Sequence, residues 1–342
     1  MHSNSILKQM NMEKYVDMVS PFTDGKVKEV STIEEHEFRK ETYSVHVCYY
    51  ICEDTGEKFT TTEQDELLFN DLYSQYRVKH GIPFPEEIKE IRTRYKLNYS
   101  QITRILGFGA NQYAQYENGQ IPSESNGKMI LAIQSKQVIL GLLEASKEEF
   151  EIDEYLKISE VISCASDKVM CSAQQSLFYK DIKRSVYNGF KQPNVQKLME
   201  MIKYFVCNSK SIFPTKLNKE MFYADFYHYK RFGISISGLN YQAIQFGPVP
   251  VHYNTIYDNI DGINKEIVLA HDMESTRLTC DEYDLSLFDE KEKETLETIV
   301  RIIQPMKTDE IVAESHKEDA WINYSQENKL IPYSEAFSLR LI

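Results

Sequence analysis

The stretch from Ile82 to Gly119 constrains the fold of this chain most strongly, because apolar residues recur there at helical spacing between residues that begin and end helices. Pro85 suits the first position of a helix, where its missing N–H is not needed. Ile88, Ile91 and Tyr95 follow at steps of three and four residues and define one apolar face. The sequence therefore predicts an amphipathic helix at the start of this stretch.

Two more short helices are predicted before Gly119. Asn98 or Ser100 can cap the second helix, and Gly107 ends it. A third helix, over about residues 110–117, turns its two tyrosines inward. Three short helices around a small apolar core favour a helix-turn-helix domain, which we place at residues 81–145. The alternative is a trihelical unit that only packs or dimerises.

The third predicted helix presents amide side chains to solvent. An amide carries a donor beside an acceptor, which matches the edge that adenine exposes in the major groove of DNA. Residues 77–104 also hold seven basic and three acidic side chains, although the whole chain has a net charge of −13. This contrast favours phosphate contact at one patch and argues against nonspecific coating of nucleic acid. The predicted DNA-contacting residues are Gln101, Arg104, Asn111, Gln112 and Gln115.

Short sequence runs in this domain resemble known DNA-binding proteins. The domain looks like the Cro/repressor type of helix-turn-helix in three short runs. These are Ser-Gln at 100–101, Leu-Gly at 106–107 and Tyr-Glu-Asn-Gly at 116–119. The segment GFGANQYAQYENG resembles more narrowly the DNA-binding domain of MqsA (YgiT-type) antitoxins, whose recognition helix uses an Asn and, four residues later, an Arg. Asn111 matches the Asn, and Gln115 stands in place of the Arg. The resemblance implies operator DNA as a partner, altered base readout, and a homodimer.

Residues 15–80 are predicted to form a small β module followed by a connecting helix. Segments rich in β-formers at 27–30 and 44–51 alternate with turn signals, and the helix begins after a run of threonines. In the resembled antitoxins this is a zinc-ribbon module with two Cys-x-x-Cys motifs. The equivalent positions here are Ser20, Thr23, Cys52 and Thr55.

Three of those four positions carry hydroxyl groups, which are not ionised near neutrality and bind zinc poorly. We therefore predict a degenerate module that folds without metal, and a chain without a cofactor. The spacing of His36, His46 and Cys48 gives no support for a rescued site. The six cysteines are scattered through the chain, which favours reduced thiols in a cytoplasmic protein.

A helix over about residues 124–143 and a helical linker region at 146–194 follow. The dense apolar positions of that helix favour core or dimer contact over a ligand site. In the linker, helices are predicted over about residues 152–166 and 168–187.

Residues 195–330 are predicted to form an α-rich domain with a short β hairpin. A helix is expected to end at Gly233, and short strands are expected at 234–238 and 241–246. Three segments, 217–233, 235–250 and 308–324, closely resemble the SocA-like, or Panacea, domain in their sequence and order.

The Panacea resemblance implies an antitoxin of a toxin–antitoxin pair, because the domain binds and neutralises very different protein toxins. One member type is instead a proteolytic adaptor that delivers its bound protein to a protease, and this is the alternative function. The predicted toxin-binding residues lie on the hairpin and on the helix before it. They are Tyr223, Tyr227, Gly238, Tyr241, Phe246, Gly247, Pro248 and Val249.

A hydrolase is a third hypothesis, because Glu314, Ser315 and His316 are adjacent. Neighbours on a helix point to different faces, whereas a catalytic triad needs side chains that converge from separate segments. We therefore predict that the chain is not an enzyme.

Length and composition fit this division into domains. A chain of 342 residues is expected to contain two or three domains, and 42% hydrophobic residues support folded cores. We find no apolar run of membrane-spanning length and no apolar core near the first residues that would indicate a signal peptide. The predicted fold class is mainly α with small β elements, in a protein that does not enter a membrane.

Overall fold

The computed structural model describes residues 12–165, 182–209, 212–270 and 273–342. The chain divides into two compact units, one formed by residues 1–72 with 177–342 and the other by residues 73–176. The β module and the C-terminal domain, which the sequence placed in separate domains, thus belong to one unit. The predicted helix over residues 168–187 falls largely outside the described residues. Among the helices that the structure describes, none is both long enough and apolar enough to cross a bilayer.

An antiparallel meander forms the N-terminal part of the first unit, which confirms the predicted small sheet. Alternate side chains of its two long strands turn inward, so that Val27 and Val45 are fully buried. Its strands and the helix that follows are β1 (Met12–Val19), β2 (Lys26–Phe38), β3 (Glu41–Cys52), β4 (Lys58–Phe59) and α1 (Thr62–His80).

Helix α1 begins with reciprocal capping and is tied to the sheet. The Thr61 N–H donates to Gln64 Oε1 at 3.1 Å, and the Gln64 N–H donates to Thr61 Oγ1 at 3.4 Å. Further along the helix, Asp71 Oδ2 accepts the backbone N–H of His46 at 3.0 Å. The His46 ring also stacks on Phe337 at 3.6 Å, which joins the sheet to the C-terminal part of the same unit.

The second unit packs short helices around isoleucines and tyrosines, as the sequence predicts. The predicted helix over 124–143 is broken at residues 133–135, so that Ile130 and Ile139 both reach the core. The helices that follow α1 in this unit are α2 (Pro85–Arg94), α3 (Tyr99–Leu106), α4 (Gln112–Glu117), α5 (Glu124–Ala132), α6 (Lys136–Ala145) and α7 (Ile152–Cys164).

The C-terminal part of the first unit is built around one buried helix, α9, which packs against α11, α12 and strand β6. A three-stranded sheet of order β6-β5-β9 and a separate β7–β8 hairpin accompany it. Its elements are α8 (Val195–Asn208), α9 (Pro214–Phe232), β5 (Tyr241–Ile244), β6 (Gly247–Pro250), α10 (Tyr253–Asp258), β7 (Ile263–Ala270), β8 (Met273–Cys280), α11 (Glu290–Ile303), α12 (Thr308–Ser315), α13 (Asp319–Ile322) and β9 (Leu330–Ile331).

One predicted strand is wrong. Residues 234–238 form an irregular loop. A carboxylate on α9 accepts the N–H groups of Ile236 and Ser237, and the Gly189 carbonyl accepts that of Ser235, so these groups are not available to a neighbouring strand. The hairpin is instead made by β5 and β6, which pair from Tyr241↔Pro250 to Ile244↔Gly247.

The four positions that the resemblance makes equivalent to zinc ligands lie close together. Thr23 Oγ1 lies 3.4 Å from the Sγ of Cys52, which is fully buried. Hydrogen bonds from the hydroxyls of Ser20, Thr23 and Thr55 lower the pKa of the Cys52 thiol to about 6. These hydrogen bonds to the Cys52 sulfur connect the turn that carries Ser20 and Thr23 with the turn that carries Cys52 and Thr55. No cluster of three or more His, Cys, Asp or Glu side chains suited to a metal occurs in the described parts of the chain.

We expect the triple variant Ser20→Cys, Thr23→Cys, Thr55→Cys to bind one zinc ion per chain, because four thiolates at these positions make a structural zinc site. The unaltered chain is expected to purify without stoichiometric zinc. Elemental analysis checks both outcomes. A control that places three cysteines on exposed serines elsewhere should bind none, and a metal-free triple variant would show that the turns lack ligand geometry.

Candidate functional site

The predicted recognition helix leaves two amide side chains unengaged. Asn111 precedes α4 in a left-handed backbone conformation with φ of 62°, and both it and Gln115 are exposed. No hydrogen bond to either side chain occurs within the described part of the unit. Gln112 differs, because its Oε1 accepts the Gly109 N–H at 3.1 Å and its Nε2 donates to the Tyr116 hydroxyl at 2.7 Å. Asn111 and Gln115 are therefore the amides available to a ligand.

Two other predicted DNA contacts, Gln101 and Arg104, face α7 instead. Arg104 lies 2.7 Å from Glu154 Oε1, and its guanidinium stacks 4.1 Å above the Phe150 ring. Gln101 Nε2 donates to the same Glu154 carboxylate at 3.2 Å. These side chains hold α3 to α7, and the structure does not bring them together with Asn111 and Gln115 on an open surface.

Most of the predicted basic flank is also used internally. Arg77 is 3% exposed and donates to the carbonyls of Pro83, Gly119 and Gln120. Arg92 forms a two-point ion pair with Glu117, at 2.6 and 3.0 Å. Within the flank at residues 77–104, Lys89 and Lys96 carry exposed ammonium groups that have no ion-pair partner among the described residues.

In the C-terminal part, the carboxylate of Asp225 organises the loop that leads to the hairpin. It is fully buried on α9 and accepts the N–H groups of Ile236 and Ser237 at 2.9 and 2.8 Å. Its other oxygen accepts the hydroxyls of Ser237 and, at 2.7 Å, of Tyr241. Burial raises the pKa of Asp225, while these donors act against the rise by favouring the ionised form.

The β5–β6 hairpin is held by side chains next to its turn. Trp321 Nε1 donates to the Ile244 carbonyl at 2.7 Å, and the buried Lys219 Nζ donates to the Pro248 carbonyl at 2.8 Å. Burial lowers the pKa of Lys219 to about 7. Gly247 has φ of +96°, and a Cβ there would lie 2.4 Å from Ser315 Oγ, so the turn requires glycine. The tip of the hairpin is thereby held in one position.

Burial separates the predicted toxin-binding residues into two groups. Tyr223 and Tyr241, both predicted to contact a toxin, are fully buried, so their side chains are not accessible to a partner in this conformation. Their rings pack in the aromatic core, and Tyr223 donates to Glu318 at 3.1 Å. The hairpin and loop positions Gly238, Gly247, Pro248 and Val249 are also buried. Phe246 at the tip is 59% exposed, and Tyr227 on α9 is half-buried.

The β7–β8 hairpin carries an apolar surface that the sequence reasoning missed. Ile267 and Leu269 lie two residues apart on β7 and are 73% and 80% exposed. Period-two alternation places both on one face of the strand. Three consecutive polar residues at 264–266 and four consecutive apolar residues at 267–270 give no alternating pattern, so the sequence did not indicate this strand.

The segment considered for hydrolysis lacks an available nucleophile. Ser315 is fully buried and donates its hydroxyl to the Val312 carbonyl of its own helix at 2.8 Å. The His316 ring stacks on Trp321 at 4.0 Å. These side chains serve packing around the hairpin.

Comparison with protein families supports this part of the chain. Residues 217–322 match the family model of the antitoxin SocA-like, Panacea domain. The match falls within the predicted 195–330 domain, confirms the resemblance for that span, and supports an antitoxin role. No curated protein and no solved structure matches the chain. The MqsA-type resemblance of the first half stays a prediction.

We expect Asp225→Ala to destabilise the protein by about 3–5 kcal/mol, because it leaves buried donors without their anionic acceptor. Tyr241→Phe removes one of these hydrogen bonds and should cost about 1.5–3 kcal/mol. Urea denaturation measures both. The matched control is Asp258→Ala at the surface, where the ion pair with Lys265 should contribute less than about 1 kcal/mol. Equal effects of the two alanine variants would refute the anchoring role of Asp225.

Proposed function

We propose that this protein is an antitoxin that neutralises a protein toxin by direct binding through its C-terminal domain. The observation that carries the proposal is the match of residues 217–322 to the Panacea domain. The domain has exposed apolar side chains on ordered backbone. Because such a surface is already ordered before binding, less conformational entropy is lost on association. Binding would mask or distort the toxin without any chemical step.

The toxin contact is centred on Phe246 in this proposal. An aromatic side chain at the tip of a rigid hairpin can fill a pocket on a partner and dominate the binding energy. Further candidates in the matched domain are the half-buried Tyr227 and the exposed aliphatic pair Ile267 and Leu269. The buried tyrosines of α9 act by holding the hairpin in place.

We expect Phe246→Ser to weaken toxin binding by about 2 kcal/mol or more, because an interface anchor is lost while the contacts of Trp321 and Lys219 with the hairpin backbone are unchanged. The toxin to use is the product of the adjacent small reading frame, if it copurifies with this chain. Growth rescue and calorimetric titration are the measurements.

Leu287→Ser is the matched control, since Leu287 is 46% exposed in the same matched span. It should change binding by less than about 1 kcal/mol. Comparable loss in both variants, or none in Phe246→Ser, would remove the hairpin tip from the interface.

We further propose that the second unit binds operator DNA and represses the operon of the antitoxin. Asn111 and Gln115 flank the exposed side of α4 and would read base edges, while Lys89 and Lys96 would contact phosphates. Gln101, Arg104 and Gln112, which the sequence also predicts as DNA contacts, have side chains engaged within the unit and would hold α3 and α4 in place.

A homodimer belongs to the same proposal. One short recognition helix with two free amides offers few base contacts, and pairing two half-sites multiplies specificity. Ile152 and Leu156 lie one turn apart on α7 and are 59% and 56% exposed. In this proposal they give the second unit an apolar strip for self-association.

We expect Asn111→Ala with Gln115→Ala to weaken operator binding at least about tenfold, because a good amide–adenine contact contributes about 1–3 kcal/mol of discrimination. Toxin neutralisation should be unchanged. Gel-shift titration on the promoter fragment and growth rescue read the two activities separately.

Gln120→Ala is the control, because it removes an exposed amide just after α4. It should bind the promoter as the unaltered chain does. Full repression by the double variant would mean that α4 does not read bases.

A further inference from the structure

One face of helix α8 packs against the residues that follow strand β8. Glu200 Oε2 accepts the Asp284 N–H at 2.7 Å, and the Tyr204 ring meets the Tyr283 ring edge-on at 5.1 Å between centroids. Glu200 and Tyr204 are one turn apart and therefore share a face of the helix. The chain after β8 thus runs alongside α8 in the opposite direction.

The same alignment continues past the end of α8. The Ile212 N–H donates to the Leu278 carbonyl at 3.1 Å, and the Leu278 N–H donates to the Ile212 carbonyl at 2.9 Å. Cys207 follows Tyr204 by three residues on the same face of α8, and Cys280 follows Leu278 by two. Contacts on both sides therefore place the two cysteines opposite each other.

A further contact brings α8 to the base of the β7–β8 hairpin. A Cβ on Gly262 would lie 3.3 Å from Lys203 Cε. Gly262 precedes Ile263, which pairs with Cys280 at the first position of the hairpin ladder. Because Lys203 lies one turn before Cys207, the helix carries its cysteine toward the strand end that holds Cys280.

The two thiols interact and are both within reach of a small oxidant. Each is free and half-buried. Burial, followed by a hydrogen bond with Cys280, raises the pKa of Cys207 to about 12, so Cys207 stays a neutral thiol near neutrality. Cys280 Sγ donates to the Glu282 carbonyl at 3.0 Å. The thiolate is the reactive form of cysteine, and oxidation therefore begins at Cys280.

We propose that Cys207 and Cys280 form a reversible disulfide within one chain when the protein meets hydrogen peroxide. The Cys280 sulfur attacks one peroxide oxygen and becomes a sulfenic acid, and the other oxygen leaves as water. The Cys207 sulfur then displaces the sulfenic oxygen, which takes up the thiol proton and leaves as a second water. The two thiols lose two electrons and two protons, and the peroxide gains them. A thiol reductant restores both cysteines by exchange.

The bond would join α8 to the end of β8 and so fix the hairpin that carries Ile267 and Leu269. It would close a loop of about 70 residues, which stabilises a folded protein by restricting the unfolded chain. This inference does not depend on the proposed function, because the bond is detected on the purified chain without toxin or DNA.

Peptide mapping after oxidation tests the proposal. The purified chain is treated with hydrogen peroxide, its remaining thiols are blocked with N-ethylmaleimide, and it is digested with trypsin without reductant. Cleavage after lysine and arginine releases residues 204–210 and 278–291, each with one cysteine. We expect a linked pair of these peptides, two hydrogen atoms lighter than their sum, which disappears after treatment with dithiothreitol.

Cys164→Ser is the matched control, because it removes an exposed thiol from the second unit. It should give the linked pair as the unaltered chain does, whereas Cys207→Ser should not. Oxidation should also raise the midpoint of thermal denaturation by about 5 °C or more in the unaltered chain and in Cys164→Ser, but not in Cys207→Ser.

Three outcomes in the unaltered chain would overturn the proposal. They are oxidation of Cys280 to the sulfinic acid without a linked peptide, a linked peptide that joins two chains and runs as a dimer on a non-reducing gel, and two cysteines that stay reduced. Because the unaltered chain gives this result, the test does not depend on the folding of a variant.

Discussion

The C-terminal part of this protein depends on one buried carboxylate. Asp225 lies on a helix with almost no contact to solvent, and its two oxygens collect backbone and hydroxyl donors from the loop that follows the helix. A buried anion is unfavourable unless such donors surround it. The loop therefore has one favourable course, which delivers Tyr241 to the start of β5 and sets the hairpin whose tip exposes Phe246.

Three aromatic residues of α9 pack into a buried cluster with Tyr333. The ring centroids are 4.3 Å apart for Phe222 and Phe226, 4.4 Å for Phe226 and Tyr333, and 5.4 Å for Tyr229 and Tyr333. Aromatic pairs of this kind add rigidity as well as buried area. In the proposed function, partner contact therefore falls to side chains that this cluster supports but does not enclose.

In the N-terminal module, hydrogen bonds occupy the positions that the resembled antitoxins give to zinc. Ser20, Thr23 and Thr55 surround the Cys52 sulfur, and their hydrogen bonds to it join the two turns. That the module folds without metal stays a prediction. The module also packs on the C-terminal part through His46 and Phe337. A small sheet that is buried against a larger core has less need of a metal, because the core supplies the apolar burial that a free module lacks.

The sequence alone determined the local structure and the family resemblance. Helical periodicity gave the helices from 85 to 117, alternation gave the N-terminal sheet, and three segments gave the Panacea resemblance that the family match confirms. It did not determine which polar or aromatic side chains were free. Arg77, Arg104 and Tyr223 have types common at binding surfaces, yet partners far along the chain bury or pair them. Only tertiary contacts decide whether such a side chain is buried or paired. Helical or strand periodicity assigns a residue to one face of its element, but it does not identify the element that packs against that face.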